Sequence, residues 1–190
     1  MASILISYST SEGQTHAISA RIADRCRRRG HDVTLADLGD EAPSFDGIDG
    51  IIVGSSVHYG RHGQAVRDFL TDHRDSLRAL PTALFQVSLS SAVDDPERQA
   101  AAAAYVDELL EASGCDPDRI ALFGGALRYS KYGFLKRLMM KRISRGATGD
   151  IDTSRDYEYT AWEEVDAFAD DVAAFIEDRV QTARQDPESP

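Results

Sequence analysis

Cysteine is scarce in this chain: only Cys26 and Cys115 occur in 190 residues. The first lies in a predicted helix and the second in a Gly-Cys-Asp-Pro turn, with no metal-ligand spacing around either, so neither a structural disulfide nor a zinc site is expected. Long apolar runs are lacking too. No stretch approaches the ~20 apolar residues that span a bilayer. The start, Met-Ala-Ser-Ile-Leu-Ile-Ser-Tyr, has neither a charged n-region nor a long apolar core, so it reads as a first strand and not as a signal peptide. The expected location is the cytoplasm. Positive charge is also in short supply, with 21 basic against 32 acidic residues and a formal charge of -11. That balance repels nucleic acid phosphates and anionic membranes, and nucleic acid is not expected as a partner. Asp outnumbers Glu, and Arg far outnumbers Lys, a bias of GC-rich or salt-adapted organisms that concerns habitat and not function.

What the chain does have is a hydrophobic fraction of 42%, enough for one sizeable core and too little length for two. A single domain is expected over 1–180. Short apolar runs bounded by turn residues alternate with segments of helical period, the pattern of a parallel sheet covered by helices on both faces. Strands are predicted at Ser3–Ser7, Asp32–Asp37, Gly50–Ser55, Ala83–Ser88 and Ile120–Gly124, each rich in the residues that two-sided burial requires. Helices fit Gly13–Arg29, with Gly30 as a left-handed C′ residue, then Gly63–Arg78 and Pro96–Ser113. Asp95 is the candidate N-cap of the last of these, with Pro96 at its first position. A final helix is predicted over Ala161–Arg179, with Trp162, Val165, Phe168, Ala169, Val172 and Phe175 or Ile176 on its apolar stripe. Trp162 is thus read as core and not as a ring that stacks on a cofactor. The polar tail from Gln181 to Pro190 is expected to fray.

Chemistry enters after the first strand, where Ser9, Thr10, Ser11, Glu12, Gly13, Gln14 and Thr15 lead into a helix. Such a loop gathers backbone N–H groups at the positive end of a helix dipole, which suits a phosphate dianion. The hydroxyls add donors, and Gly13 lets the main chain come close. The loop has no Lys or Arg, and the Gly-x-x-x-x-Gly-Lys-Ser/Thr and Gly-x-Gly-x-x-Gly patterns are both missing, which excludes a P-loop nucleotidase and a dinucleotide fingerprint here. The alternative is that Thr10 or Ser11 merely caps the helix.

In a doubly wound five-stranded sheet of order 2-1-3-4-5, a ligand sits at the carboxyl ends of the strands beside the first. The loop after the third strand carries Ser55, Ser56, Val57, His58, Tyr59, Gly60, Arg61 and His62, with Tyr59 as a ring able to flank an isoalloxazine. The loop after the fourth carries Ser88, Leu89, Ser90 and Ser91, whose main chain suits a pyrimidine edge. His58 and His62 read equally well as ordinary loop residues or as proton-transfer groups. No metal site is expected from their spacing.

Residues 128–145 hold seven of the 21 basic residues and none of the 32 acidic ones, and this segregation asks for a reason. Leu135, Leu138, Met139 and Ile143 share a helical face flanked by Lys136, Arg137, Lys141 and Arg142, preceded by Tyr129, Tyr132 and Phe134. Either this is a surface helix docked on the core, or it is an interfacial element that meets anionic lipid or a carboxylate-bearing substrate. With the residues up to Tyr159 it forms an insertion, about 128–159, between the fifth strand and the last helix.

Four stretches together resemble a known family, the menaquinone-dependent protoporphyrinogen IX oxidases. They are Tyr-Ser-Thr-Ser-Glu-Gly-Gln-Thr at 8–15, Gly-Ser-Ser-Val-His-Tyr-Gly at 54–60, Gly-Gly-Ala-Leu-Arg-Tyr-Ser-Lys-Tyr at 124–132, and Asp150-Ile151-Asp152-Thr153 with Tyr159-Thr160-Ala161-Trp162-Glu163. The resemblance covers nearly the whole chain and implies a flavodoxin-like FMN protein of haem synthesis that oxidises protoporphyrinogen IX with a quinone. It implies that Ser9 to Thr15 hold the FMN phosphate and that Val57 to Gly60 and Ser88 to Ser91 meet the ring. It also implies that the basic insertion, with Arg128, Lys131, Lys136, Arg137, Lys141 and Arg142, lies near substrate or membrane, making peripheral membrane contact an expectation. Two rivals stay open: a flavodoxin-like electron carrier or quinone reductase with a protein redox partner, and a binding module of the same fold without flavin.

Overall fold

The computed structural model describes residues 1–40, 43–92, 94–127 and 157–185. In chain order these form β1 (Ser3–Ser9), α1 (Gln14–Arg28), β2 (Asp32–Asp37), β3 (Gly50–His58), the short β4 (Arg61–His62), α2 (Gln64–Asp72) and α3 (Arg74–Ala79). There follow β5 (Thr82–Ser88), a 3-10 turn at Ser90–Ala92, α4 (Pro96–Ser113), β6 (Arg119–Gly124), β7 (Ala126–Leu127), β8 (Tyr157–Glu158) and α5 (Trp162–Gln185). The sheet runs β2-β1-β3-β5-β6, all parallel, with β4 attached to β3 and with β7 and β8 forming a separate antiparallel ribbon. This is the expected 2-1-3-4-5 order of five principal strands.

Alternation along the strands divides the core in two. Ile4, Ile6, Ile52, Phe85 and Phe123 face α1 and α5, meeting Ile18, Ile22, Val165, Val172 and Ile176. Leu5, Ile51, Val53 and Leu84 face the other way, onto Val66, Leu70 and Leu77 of α2 and α3 and Val106 and Leu109 of α4. Each such side chain taken from water is worth about 1.5–3 kcal/mol. On α5, Ile176 and not Phe175 enters the core; the Arg119 guanidinium lies 4.3 Å from the Phe175 ring centroid. The same helix is laced to α1 by Arg21–Asp166, Arg25–Asp170 and Arg29–Glu177 ion pairs, and Glu177 also meets the buried ring of His31 at 2.8 Å.

The caps of α4 follow the sequence: the Asp95 carboxylate accepts from Arg98 N at 3.0 Å, Pro96 opens the helix, and Gly114 closes it in the left-handed region. Four boundaries differ by two residues or more, the first being β1, which runs to Ser9 and not Ser7. The predicted helix Gly63–Arg78 breaks at His73, whose ring is packed against Phe45 and Phe69. The Thr71 hydroxyl bonding back to Arg67 O adds to the bend. The last helix runs to Gln185 instead of Arg179, because Val180 packs on the core and, Thr182 apart, the residues beyond it are good helix formers. Residues 186–190 lie outside the described residues. The third strand extends past Ser55 to His58, since β4 pairs with it.

Candidate functional site at the carboxyl edge

The loop between β1 and α1 is built without a capping side chain. Gly13 stands at the N-cap with φ 92° and no side-chain hydrogen bond to the helix, a conformation that a β-carbon disfavours. The Thr10 hydroxyl accepts from Gly13 N at 2.9 Å, which tightens the loop, and among the described residues no capping side chain accepts from the first turn of α1. The reading in which Thr10 or Ser11 caps the helix is therefore not what the geometry holds. Thr15, 1% exposed, has its Oγ1 buried with no hydrogen-bond partner. A buried hydroxyl in that condition costs about 1–3 kcal/mol, and a phosphate oxygen at the helix start would supply the missing partner. Neutral donors, a helix dipole and a close-approach glycine fit a phosphate monoester.

Ser9 ends β1 opposite Ser55 of β3, and the Ser56 hydroxyl reaches Ser9 O at 3.4 Å. Beyond them the segment read as a loop is a β-hairpin: Val57 pairs His62, His58 pairs Arg61, and Tyr59 and Gly60 form the two-residue turn. Both turn residues have positive φ, 51° and 73°, as a type I′ turn demands. A tyrosine is strained there, and the turn holds its ring out in solvent at 63% exposure. The hairpin is fastened from below. His62 is buried, with Nδ1 2.7 Å from Ser55 Oγ and Nε2 3.1 Å from Tyr105 O. Burial pushes its pKa down from the ordinary value, so the neutral ring acts as a brace and not as an exposed proton shuttle. The Ser55 hydroxyl is turned into this brace.

After β5, the Ser88 and Ser91 hydroxyls pair at 2.7 Å, Ser91 N donates to Ser88 Oγ, and the 3-10 turn places Leu89 and Ser90 at the same edge. Gly125 N donates to Ser88 O at 3.0 Å, joining this loop to the chain beyond β6. Gln14, at the first position of α1, sends its side-chain amide to Thr160 Oγ1 at 2.8 Å. The structure thus brings together the three predicted loops, and adds a fourth segment, 157–162, that the site prediction missed although its Tyr-Thr-Ala-Trp stretch was part of the family resemblance. Trp162 packs against the core and donates Nε1–H to Glu158. The basic residues Arg128, Lys131, Lys136, Arg137, Lys141 and Arg142 lie outside the described residues. Among the described residues there is no group of His, Cys, Asp or Glu able to hold a metal ion, and no helix long and apolar enough to cross a membrane.

Comparison with known proteins agrees with this architecture. Solved structures of a flavodoxin from the domain Archaea (TM-score 0.52, 16% identity, 92% of this chain and 99% of that one) and of a short-chain flavodoxin associated with a bacterial microcompartment (TM-score 0.53, 14% identity, 96% and 99%) share the fold. The protoporphyrinogen IX dehydrogenase [quinone] of Escherichia coli (strain K12) is 32% identical over 170 residues, 89% of this chain and 93% of that protein. A protein of the same name from Leishmania major is 30% identical over 174 residues, 90% of this chain and 74% of that protein. The Flavodoxin domain family matches residues 5–154, and the chain belongs to it, in the group represented by these quinone-linked dehydrogenases.

Proposed function

We propose that this protein is an FMN-dependent oxidoreductase that converts protoporphyrinogen IX to protoporphyrin IX and passes the electrons to a quinone, menaquinone by the family resemblance, in haem synthesis. One observation carries the reading: the chain aligns at 32% identity with 93% of a protein named for that reaction. The phosphate loop supports the cofactor, since Thr15 is a buried hydroxyl in want of an acceptor at the start of a helix whose own loop, residues 9–15, contains no Lys or Arg.

FMN, when bound, would supply the redox chemistry, two-electron exchange between the reduced macrocycle and a quinone. The chain binds and orients. Ser9 to Thr15 would hold the phosphate through main-chain N–H groups and hydroxyls. Tyr59, held out on its strained turn, would offer a ring face to the isoalloxazine, and the main chain of Ser88 to Ser91 would meet its pyrimidine edge. Arg128, Lys131, Lys136 and Arg137, with Lys141 and Arg142, are the groups proposed for substrate propionates or anionic head groups, which would keep a cytoplasmic protein at the membrane face where quinone resides. No side chain is assigned as acid or base.

The test is anaerobic reconstitution with FMN, then protoporphyrinogen IX and a menaquinone analogue, following porphyrin fluorescence against controls without protein and without quinone. Fluorescence that needs both is the expected result. A flavin-loaded protein that leaves the porphyrinogen untouched would assign the chain instead to electron transfer with a protein partner, and one that takes up no flavin would assign it to the flavin-free binding class.

A further inference from the structure

α1 begins without a side-chain cap, yet its first residue is anchored. The Gln14 amide N–H donates to Thr160 Oγ1 at 2.8 Å, and the Thr160 hydroxyl donates in turn to Gly124 O at 2.8 Å. The single proton and the acceptor side of that hydroxyl are both engaged, so the link has a defined direction from the phosphate loop to the end of β6. The segment carrying Thr160 is itself fixed. Tyr159 N donates to Gly125 O at 3.0 Å, Gly125 N donates to Ser88 O at 3.0 Å, and β8 pairs with β7. The approach at Gly124 is so close that a β-carbon there would fall 2.4 Å from Tyr159 O. Gln14 is only 4% exposed, and its side-chain amide N–H is directed at Thr160.

We infer that Thr160 is a positioning residue for the flavin phosphate: through Gln14 it sets where α1 begins, and so where the N–H groups of the phosphate loop point. This rests on the proposed FMN site. It assigns a role in cofactor binding to a residue 146 positions from Gln14 in sequence, which acts on the loop through the Gln14 side chain. A hydrogen bond that also relieves two part-buried partners is worth a factor of about five to ten in affinity, and the effect falls on the phosphate because the Thr160 hydroxyl reaches Gln14, whereas the link from this segment to the Ser88 loop runs through the main chain of Tyr159 and Gly125 and survives its loss.

The experiment is titration of the apoprotein with FMN and, separately, with riboflavin, which has the ring and lacks the phosphate. Thr160→Val is expected to raise the Kd for FMN about five- to tenfold and to leave that for riboflavin within about twofold, with Thr160→Ser restoring FMN binding. Gln14→Leu is the second variant and is expected to match Thr160→Val, with the double variant no worse than either alone. FMN binding by Thr160→Val equal to that of the wild type, or equal losses for FMN and riboflavin, would overturn the inference. A wild-type protein that does not prefer FMN over riboflavin would overturn the phosphate site itself, and the inference with it.

Discussion

Ser55 and His62 face each other across the β3–β4 hairpin with Oγ and Nδ1 2.7 Å apart. The carbonyl of Tyr105 can only accept, so the His62 proton sits on Nε2 and Nδ1 accepts from the Ser55 hydroxyl. The tautomer is thereby decided by two neighbours from different elements.

Burial, ahead of every other influence, lowers the His62 pKa; the Tyr105 carbonyl, Gln86 and Glu108 oppose that shift and Arg67 adds to it. A base depressed in the folded state binds its proton more readily once unfolded. The contribution of His62 is therefore complete above the ordinary histidine value of about 6.5 and is lost as pH falls below it. Urea unfolding followed across about pH 5 to 8 should show stability rising with pH, and His62→Ala should flatten that slope while costing about 2 kcal/mol. An unchanged slope would mean that another group titrates.

Thr15→Val removes a buried hydroxyl that lacks a partner. The apoprotein should be as stable as the wild type or slightly more so, and the affinity for FMN should fall about tenfold. Thermal unfolding without ligand and a flavin titration measure the two halves. A destabilised apoprotein with unchanged FMN affinity would show that the hydroxyl serves the fold.

Tyr59→Gly relieves a left-handed tyrosine at φ 51° and should raise the stability of the flavin-free protein by about 1 kcal/mol. The same change removes the exposed ring, so FMN binding should weaken and the flavin absorption spectrum should shift, with Tyr59→Phe close to wild type in both. Stabilisation with no change in flavin properties would place the ring away from the cofactor.

Glu177 receives Arg29 and His31 together, and the Arg29 hydrogen bond, ahead of that from His31, holds its carboxyl below the usual range. Its contribution is present above the unfolded carboxylate value of about 4.3 and is lost as pH falls through the lower folded value. For a partly exposed pair, about 0.5–1 kcal/mol is expected, so Glu177→Gln should lower Tm by about 2 °C at neutral pH. The difference between the two proteins should vanish in acid. A difference that persists there would point to packing and not to charge.

The five principal strands and their order were legible because two-sided burial leaves short, nearly continuous apolar runs separated by helical period. So was the start of α4, where Asp95 and Pro96 act within one turn. The hydroxyl-rich loop ahead of α1 is legible by its residue types and Gly13, but the hairpin at Tyr59 and Gly60 is not, since its partner strand is only Arg61–His62. The break at His73 is not legible there because the ring of His73 packs against Phe45, 28 residues away in the chain.

The sequence by itself determined whatever depends on neighbours within a turn or on the period of burial: the strands, most helix limits, the caps of α4, and a phosphate-suited loop ahead of α1. Tertiary structure alone decided which hydroxyls are engaged and which are left over. Ser55 turns to His62, Thr160 joins Gln14 to Gly124, and Thr15 keeps an unanswered oxygen. The physical reason is that a side-chain hydrogen bond needs its donor and acceptor within about 3 Å, and between residues distant in the chain only the packed sheet and helices bring them that close.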